Sequence, residues 1–203
     1  MTFGKRLFDI VLALLLLFPL GMAMNVVAAV LLITQGRPIF YGSERMRGPA
    51  QAFTLWKFRT MRPSATDSGV SGGDKANRVT PAGAMLRASR LDELPQLFNI
   101  LKGDMSFVGP RPPLRQYVEA FPDLYAAVLK SRPGVTGLAS LIYHRHEEWL
   151  LSRCASAEET DRVYSRRCIP VKARLDLIYQ SRRTLCLDLW ILARTVGRVA
   201  KRP

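Results

Sequence analysis

Histidine and cysteine are scarce in this chain of 203 residues, at two and three copies. Cys154, Cys168 and Cys186 are odd in number, widely spaced and free of any CxxC pattern. That excludes a disulfide framework and a thiolate zinc site, and leaves reduced cytosolic thiols that mostly pack. With only His144 and His146, a Ser-His-Asp triad or a zinc centre has little to be built from. No G-x-x-x-x-G-K-[ST] loop and no G-x-G-x-x-G is present, so neither familiar nucleotide cradle applies. Acidic residues are in deficit, 16 against 30 lysines and arginines, for a net charge of +14. From residue 10 to residue 33 there is no charged side chain at all.

That uncharged run is long enough to enter a bilayer. Only Lys5, Arg6 and Asp9 are charged up to residue 33, so the basic surplus lies almost wholly in the following segment. Such a surplus points to a polyanionic partner, and the neighbouring apolar run favours membrane lipids and phosphate-rich substrates over nucleic acid. No helix-turn-helix or aromatic platform is visible, and no nucleic-acid partner is expected. The run is too long for a typical signal core and lacks a clear small-x-small cleavage site, so it is expected to be retained. Phe18-Pro19 interrupts it. Either one spanning helix tolerates a kink there, or a re-entrant helix–break–helix enters and leaves by the same face. Lys5 and Arg6 flank one end and Arg37, Arg45 and Arg47 the other, which favours the re-entrant form with both ends cytoplasmic. Asn25 inside the run needs a partner, for which a carbonyl freed at the break is a candidate. Residues 1–36 therefore read as a membrane element and 37–203 as one catalytic domain.

Residues 39–45 and 51–61 alternate apolar and polar about Gly48-Pro49, the pattern of a β-hairpin. Residues 63–79, rich in Ser, Gly, Asp and Asn, read as a mobile loop or lid. Thr80-Pro81 opens a helix expected to run through Asp92-Glu93, with Pro95 ending or bending it. A short continuation over 96–102 closes at Gly103. Gly109-Pro110-Arg111-Pro112-Pro113 is a rigid extended segment, 115–130 a helix broken near Pro122, and the run from Arg132 to Gly137 a turn. Helical patterns occupy 157–168, 170–181 and 184–201. The last carries an apolar stripe of Leu185, Leu189, Leu192, Val196 and Val199, suited either to a membrane surface or to docking on the protein. The fold class is α-rich with a small β-hairpin, a re-entrant membrane helix and interfacial amphipathic helices.

Four short elements are candidates for chemistry. Asp92 and Glu93 are adjacent carboxylates among Leu91, Leu94 and Leu97. They are either a solvated acidic pair or a nucleophile beside a metal ligand or base. Lys57 and Arg59 share one side of a strand, as a phosphate-binding wall or a plain basic face. Arg87 and Arg90 precede the pair and could neutralise phosphate or simply form helix ion pairs. Arg111 is pinned between two prolines, which presents a guanidinium fork to phosphate or merely stiffens a turn. Any metal would be a hard cation held by carboxylate and phosphate oxygens, which means Mg²⁺. A non-enzymatic basic adaptor on anionic lipids would explain the charge and the apolar run but leave the Asp-Glu and Gly-Pro-Arg-Pro arrangements unused.

Taken together, the run Arg90-Leu91-Asp92-Glu93-Leu94-Pro95-Gln96-Leu97-Phe98-Asn99 through Gly103-Asp104-Met105 to Gly109-Pro110-Arg111-Pro112 resembles the bacterial sugar transferases, the small monotopic phosphoglycosyl transferases that begin surface-glycan assembly. The likeness covers nearly the whole chain, including Lys5-Arg6-x-x-Asp9, Lys57-Phe58-Arg59-Thr60-Met61, Arg132-Pro133-Gly134-Val135-Thr136-Gly137 and Leu187-Asp188-Leu189-Trp190. It implies an enzyme of the bacterial inner membrane with its catalytic face in the cytoplasm. The substrates would be a UDP-sugar and polyprenyl phosphate, with Mg²⁺ and a covalent phosphosugar on aspartate. Asp92 would then be the nucleophile and Glu93 its metal-linked neighbour, with Lys57, Arg87 and Arg111 holding phosphate. A homodimer is left open. Two positions depart from the pattern. Phe18 stands before the membrane proline where some members have serine. Tyr143-His144-Arg145-His146 follows the Thr-Gly turn where many have an arginine, so Arg145 is the candidate for a nucleotide contact. Residues 147–168 exceed the shortest members and suggest an extra helical excursion.

Overall fold

The computed structural model describes residues 2–63, 70 and 72–200. The first element, α1 (Phe3–Gln35), starts where the Thr2 hydroxyl accepts from the Lys5 amide and stops at Gly36, whose φ of 68° suits glycine. Its helical backbone passes through Phe18 and Pro19 without the break expected there. Proline removes one hydrogen bond, but the rest of the ladder carries the helix on. Asn25 donates to Gly21 O at 3.0 Å, one turn back, instead of to a carbonyl freed at the proline. The helix is long and apolar enough to cross a membrane, and only 11% of its most apolar window is buried against the protein, so it is not a core helix.

Both ends of α1 are fastened to the rest of the chain. Lys5, Asp9 and Ala13 are buried near its start, Val27 and Leu31 near its end, and none of residues 14–26 is buried. A row of exposed apolar side chains, among them Leu7, Val11, Leu14, Phe18, Met22, Val26 and Val30, runs along the opposite face.

The hairpin forms as the alternation predicts: β1 (Phe40–Gly48) pairs antiparallel with β2 (Gln51–Phe58) across Pro49-Ala50. Of the proposed lid, residues 64–69 and 71 lie outside the described residues. Gly73–Arg78 forms a 3₁₀ turn, and Met61 bridges Val79. α2 (Pro81–Ser89) begins at Thr80, whose hydroxyl accepts from the Gly83 amide at 3.0 Å. It ends earlier than expected: Arg90 turns left-handed (φ 61°), and Leu91–Glu93 form a separate 3₁₀ turn. α3 (Gln96–Lys102) follows Pro95 and closes at Gly103.

β3 (Ser106–Val108) and β4 (Gly134–Thr136) make a short parallel pair, so the segment expected as a turn is partly a strand. Gly134 is required there, because a Cβ would collide with the Gly109 amide and the Val108 carbonyl carbon. α4 (Arg115–Ala120) and α5 (Pro122–Val128) divide at Pro122 as expected. α6 (Leu138–Leu151) falls outside the helical patterns read from sequence. α7 (Ala157–Val163) passes through a π turn into α8 (Ile169–Arg182), and α9 (Leu185–Ala200) ends the described chain. Leu185, Leu189 and Val196 are exposed, while Ile191 and Asp188 are buried. Leu192 of the stripe packs partly on the protein core, so α9 is docked along part of its apolar face while Leu185, Leu189 and Val196 stay outside.

Three apolar clusters hold these elements. One joins α1, β2, α3, β3, α8 and α9 through Ala13, Leu55, Ile100, Val108, Tyr179 and Ile191. A second packs α4–α8 around Tyr117, Val128 and Ile169. The third sets Val27 and Leu31 against Phe58 and Leu86, with Leu91 and Leu94 at its edge.

Candidate active site

Asp92 and Glu93 sit on the turn that Arg90 redirects. Leu91 and Leu94 on either side anchor in the third cluster against α1, which draws the carboxylates inward to 7% and 8% exposure. They face a cavity of about 1390 Å³ that is also lined by Arg45, Lys57, Arg87, Arg90 and Arg111.

Glu93 organises the cations. Its Oε1 accepts from Lys57 Nζ and from Arg111, both at 2.9 Å, with Arg90 at 3.8 Å. Burial opposes its charge, but Lys57, then Arg111 and Arg90, hold its carboxyl well below the usual carboxylate range. Burial likewise lowers the Lys57 ammonium, against the pull of Glu93, whereas Arg111 is pushed up chiefly by Glu93. Glu93 is expected from the resemblance to accompany a metal, and here its Oε1 is committed to lysine and arginine.

Asp92 is the opposite case. Among the described residues its buried Oδ1 finds no hydrogen-bond partner. Burial, and then Glu93, raise its pKa above the ordinary aspartate value. Near it Gln96, 2% exposed and lining the cavity, has an Nε2 likewise without a partner. An acceptor and a donor left unsatisfied in one cavity are costly unless a ligand completes them.

The remaining candidates divide. Arg87 donates from Nε to Thr60 Oγ1 at 2.9 Å and lines the cavity. Arg59 also reaches the lining, but its guanidinium is spent on the end of α1, donating to Gln35 O at 2.6 Å and Gly36 O at 3.0 Å. It lies one residue beyond the end of β2. A helix C-terminus presents unsatisfied carbonyls and partial negative charge, which attract it. Arg145 is exposed on α6 and is not part of the lining. Its neighbour His144 is, with Nε2 2.5 Å from an Arg90 nitrogen.

Several contributors are not among the site residues expected from sequence. Arg45 lines the cavity, and burial with Arg111 nearby lowers its pKa to about 10. Asn99 ties α3 to β2 by donating to Thr54 O at 2.7 Å and accepting from the Trp56 amide at 3.1 Å. The Lys5-Arg6-x-x-Asp9 start is a fastener. Lys5 pairs with Asp188 at 2.5 Å, Arg6 donates to Ile100 O and Leu101 O, and Asp9 accepts from the Ser106 hydroxyl and the Phe107 amide.

Comparison with known proteins shows the family. The family model described as bacterial sugar transferase matches residues 1–202. A Bacillus subtilis protein named uncharacterized sugar transferase EpsL is 34% identical over 195 residues, 96% of this chain and 86% of its own. The UDP-glucose:undecaprenyl-phosphate glucose-1-phosphate transferase of Klebsiella pneumoniae is 36% identical over 166 residues, 80% of this chain and 36% of its own. The UDP-N-acetylgalactosamine-undecaprenyl-phosphate N-acetylgalactosaminephosphotransferase of Aeromonas hydrophila is 32% identical over 205 residues, 98% of this chain and 44% of its own. A buried, cation-ringed carboxylate pair on a chain matched from end to end by one family model places this protein among the bacterial sugar transferases, a family of transferase enzymes.

Proposed function

We propose that this transferase moves a phosphosugar from a UDP-sugar to polyprenyl phosphate, releasing UMP, by way of an aspartyl-phosphosugar on Asp92, as an early membrane step of surface-glycan assembly. The observation that carries the reading is the Asp92 carboxylate, buried with a free oxygen in a cavity walled by Lys57, Arg87, Arg90 and Arg111. Names of similar proteins from two organisms pair a UDP-sugar with undecaprenyl phosphate, which supports the substrate classes.

In the first step an Asp92 oxygen bonds to the sugar-bearing phosphorus and the bond from that phosphorus to the UMP oxygen breaks. In the second step an oxygen of the lipid phosphate bonds to the same phosphorus and the acyl-phosphate bond breaks, which restores Asp92. Charge neutralisation is the main requirement of phosphoryl transfer. Lys57 and Arg111 meet it, because Glu93 fixes both before substrate arrives. Glu93 thus positions the cations, and its low pKa keeps it charged throughout.

The donor set fits a hard divalent cation. Among the described residues no group of three His, Cys, Asp or Glu forms a closed cage. Mg²⁺ commonly takes only one or two carboxylates and completes its shell with phosphate oxygens and water. Asp92 Oδ1, with Glu93 beside it, would hold the ion, which supplies further neutralisation of the diphosphate when bound.

We also propose that α1 is re-entrant and that the catalytic domain lies on the cytoplasmic face of the bacterial inner membrane. A straight helix of 33 residues spans roughly 50 Å, more than the hydrocarbon core. Yet its start is tied to α3, β3 and α9, and its end to β2 and α2. One body holding both ends supports entry and exit by a single face, with the exposed row of α1 and the exposed Leu185, Leu189 and Val196 of α9 toward lipid. Single cysteines placed at residues 2 and 37 should both react only with cytoplasmic reagent, and periplasmic labelling of residue 2 would establish a spanning helix instead. The reaction is tested by UMP release from UDP-sugars in detergent with polyprenyl phosphate and Mg²⁺. Asp92→Asn should fold and release no UMP, and near-full activity in that variant overturns the reading.

A further inference from the structure

The cavity has a second polar wall that phosphate chemistry leaves unused. On α8, Lys172 and Asp176 stand one helical turn apart, 9% and 7% exposed, and both line the cavity with Glu147 of α6. Lys172 Nζ donates to Glu147 Oε1 at 2.6 Å and to the Tyr164 hydroxyl at 3.2 Å. An ammonium has three N–H groups, so one remains. Asp176 Oδ1 is buried and, among the described residues, without a hydrogen-bond partner. A spare donor and a spare acceptor thus stand one turn apart on α8, in the lining of the space that Asp92 also faces.

The wall is joined to the reaction centre by charge. Arg111, which holds Glu93, also feels the field of Glu147 and Tyr164. The order Glu93, Arg111, Glu147, Lys172, Asp176 therefore alternates in sign from the phosphate site to this wall. Two carboxylates there repel a phosphate, and the Lys172 ammonium repels a metal ion. A neutral group that donates and accepts hydrogen bonds satisfies all three residues, and two adjacent ring hydroxyls do so.

We propose that Asp176, Lys172 and Glu147 form a diol-binding subsite that recognises adjacent ring hydroxyls of the nucleotide-sugar donor. The inference rests on the transferase reading above and adds where the uncharged part of that donor is read. The hydroxyls belong either to the transferred sugar or to the ribose. Burial pushes the Asp176 carboxyl up to about 7, in keeping with a group that can both accept and donate near neutrality. A site built to hydrogen-bond a hydroxyl discriminates strongly against a ligand lacking it, because its own buried groups are then stranded.

The test compares kcat/KM for UMP release from UDP-glucose, UDP-galactose, UDP-N-acetylgalactosamine and their 2′-deoxyuridine counterparts, in wild type, Asp176→Ala and Asp176→Asn. Asp176→Ala should lose at least about tenfold on the preferred donor. Asp176→Asn, which keeps one acceptor oxygen, should lose less. If the sugar is read, the ratio between epimeric donors collapses toward unity in the alanine variant. If the ribose is read, the preference for the ribo over the 2′-deoxy donor collapses instead. Folded variants that slow every donor by the same factor, or none, overturn the proposal. Should Asp176→Ala not fold, the same ratios are read in Asp176→Asn, where a change under about twofold overturns it. A wild type that turns over none of the donors defeats the transferase reading itself, whereas an active wild type with unchanged ratios in the variants defeats only the subsite.

Discussion

Replacing Glu93 with glutamine keeps the side chain's shape and removes the charge on which the cation cluster converges. In the wild type, Lys57 and Arg111 each donate to Glu93 Oε1 at 2.9 Å, and Arg90 lies 3.8 Å away. The variant leaves three cations around a neutral amide. Removing one partner of a buried ion pair costs about 3–5 kcal/mol. The Arg111 side chain is 37% exposed, so solvent screens part of that loss and about 2–3 kcal/mol is the appropriate magnitude. For a chain of this length that lowers the melting temperature by roughly 5–10 °C. Anion binding should move the other way. With Glu93 no longer cancelling the cations, inorganic pyrophosphate should raise the melting temperature more in Glu93→Gln than in wild type. Thermal unfolding in detergent at neutral pH, with and without pyrophosphate, measures both effects. A melting temperature within about 1 °C of wild type, with equal pyrophosphate shifts, would refute the assignment of Glu93 as the organiser.

Two further predictions follow from buried charges away from the phosphate site. Asp176 is raised in the folded state to about 7 from an ordinary 3.8, so the native protein binds a proton that the unfolded chain releases. Its contribution is present at low pH and is lost as pH rises from about 4 through 7, a span worth up to about 4 kcal/mol. Asp176→Asn should therefore gain stability relative to wild type as pH increases across that window, and a pH-independent difference contradicts the burial argument. Lys5→Met removes the partner of Asp188 from a pair whose side chains are 4% and 1% exposed. It should cost about 3–5 kcal/mol and loosen α1 from α9, read as a lower melting temperature and faster proteolysis near residue 5. Wild-type behaviour in both measurements would show that the pair does not fasten the membrane helix.

Local chemistry was legible in the sequence where it acts over a few residues. The hairpin followed from alternation around Gly48-Pro49, and the start of α2 from a capping hydroxyl before proline. Lys57 and Arg111 were read as phosphate cations, and both meet at Glu93. Legibility failed where long-range packing decides. Arg90 adopts φ 61° with no glycine to announce it, so a helix expected to continue ends at Ser89, four residues short of Glu93. The β3–β4 pair spans only Ser106–Val108 and Gly134–Thr136, too short to register as strands without each other. α6 was hidden by its polar run His144-Arg145-His146-Glu147-Glu148, whose purpose appears only when His144 and Glu147 line the cavity. Along a helix adjacent residues diverge by about 100°, which is why His144 faces Arg90 while Arg145 faces out. The bonds from Arg59 to the end of α1 could not be read from sequence, because the carbonyls it caps are more than twenty residues away.

The proposed reaction depends on Asp92 carrying the sugar phosphate as an acyl phosphate during turnover. Quenching the Mg²⁺-supplemented enzyme with a UDP-sugar and no lipid acceptor, then weighing the proteolytic peptide that contains residue 92, tests it directly. The account predicts a mass increase equal to one phosphosugar on that peptide, lost on adding polyprenyl phosphate and missing in Asp92→Asn. An active enzyme whose peptide never gains that mass, or gains it equally in Asp92→Asn, contradicts the account.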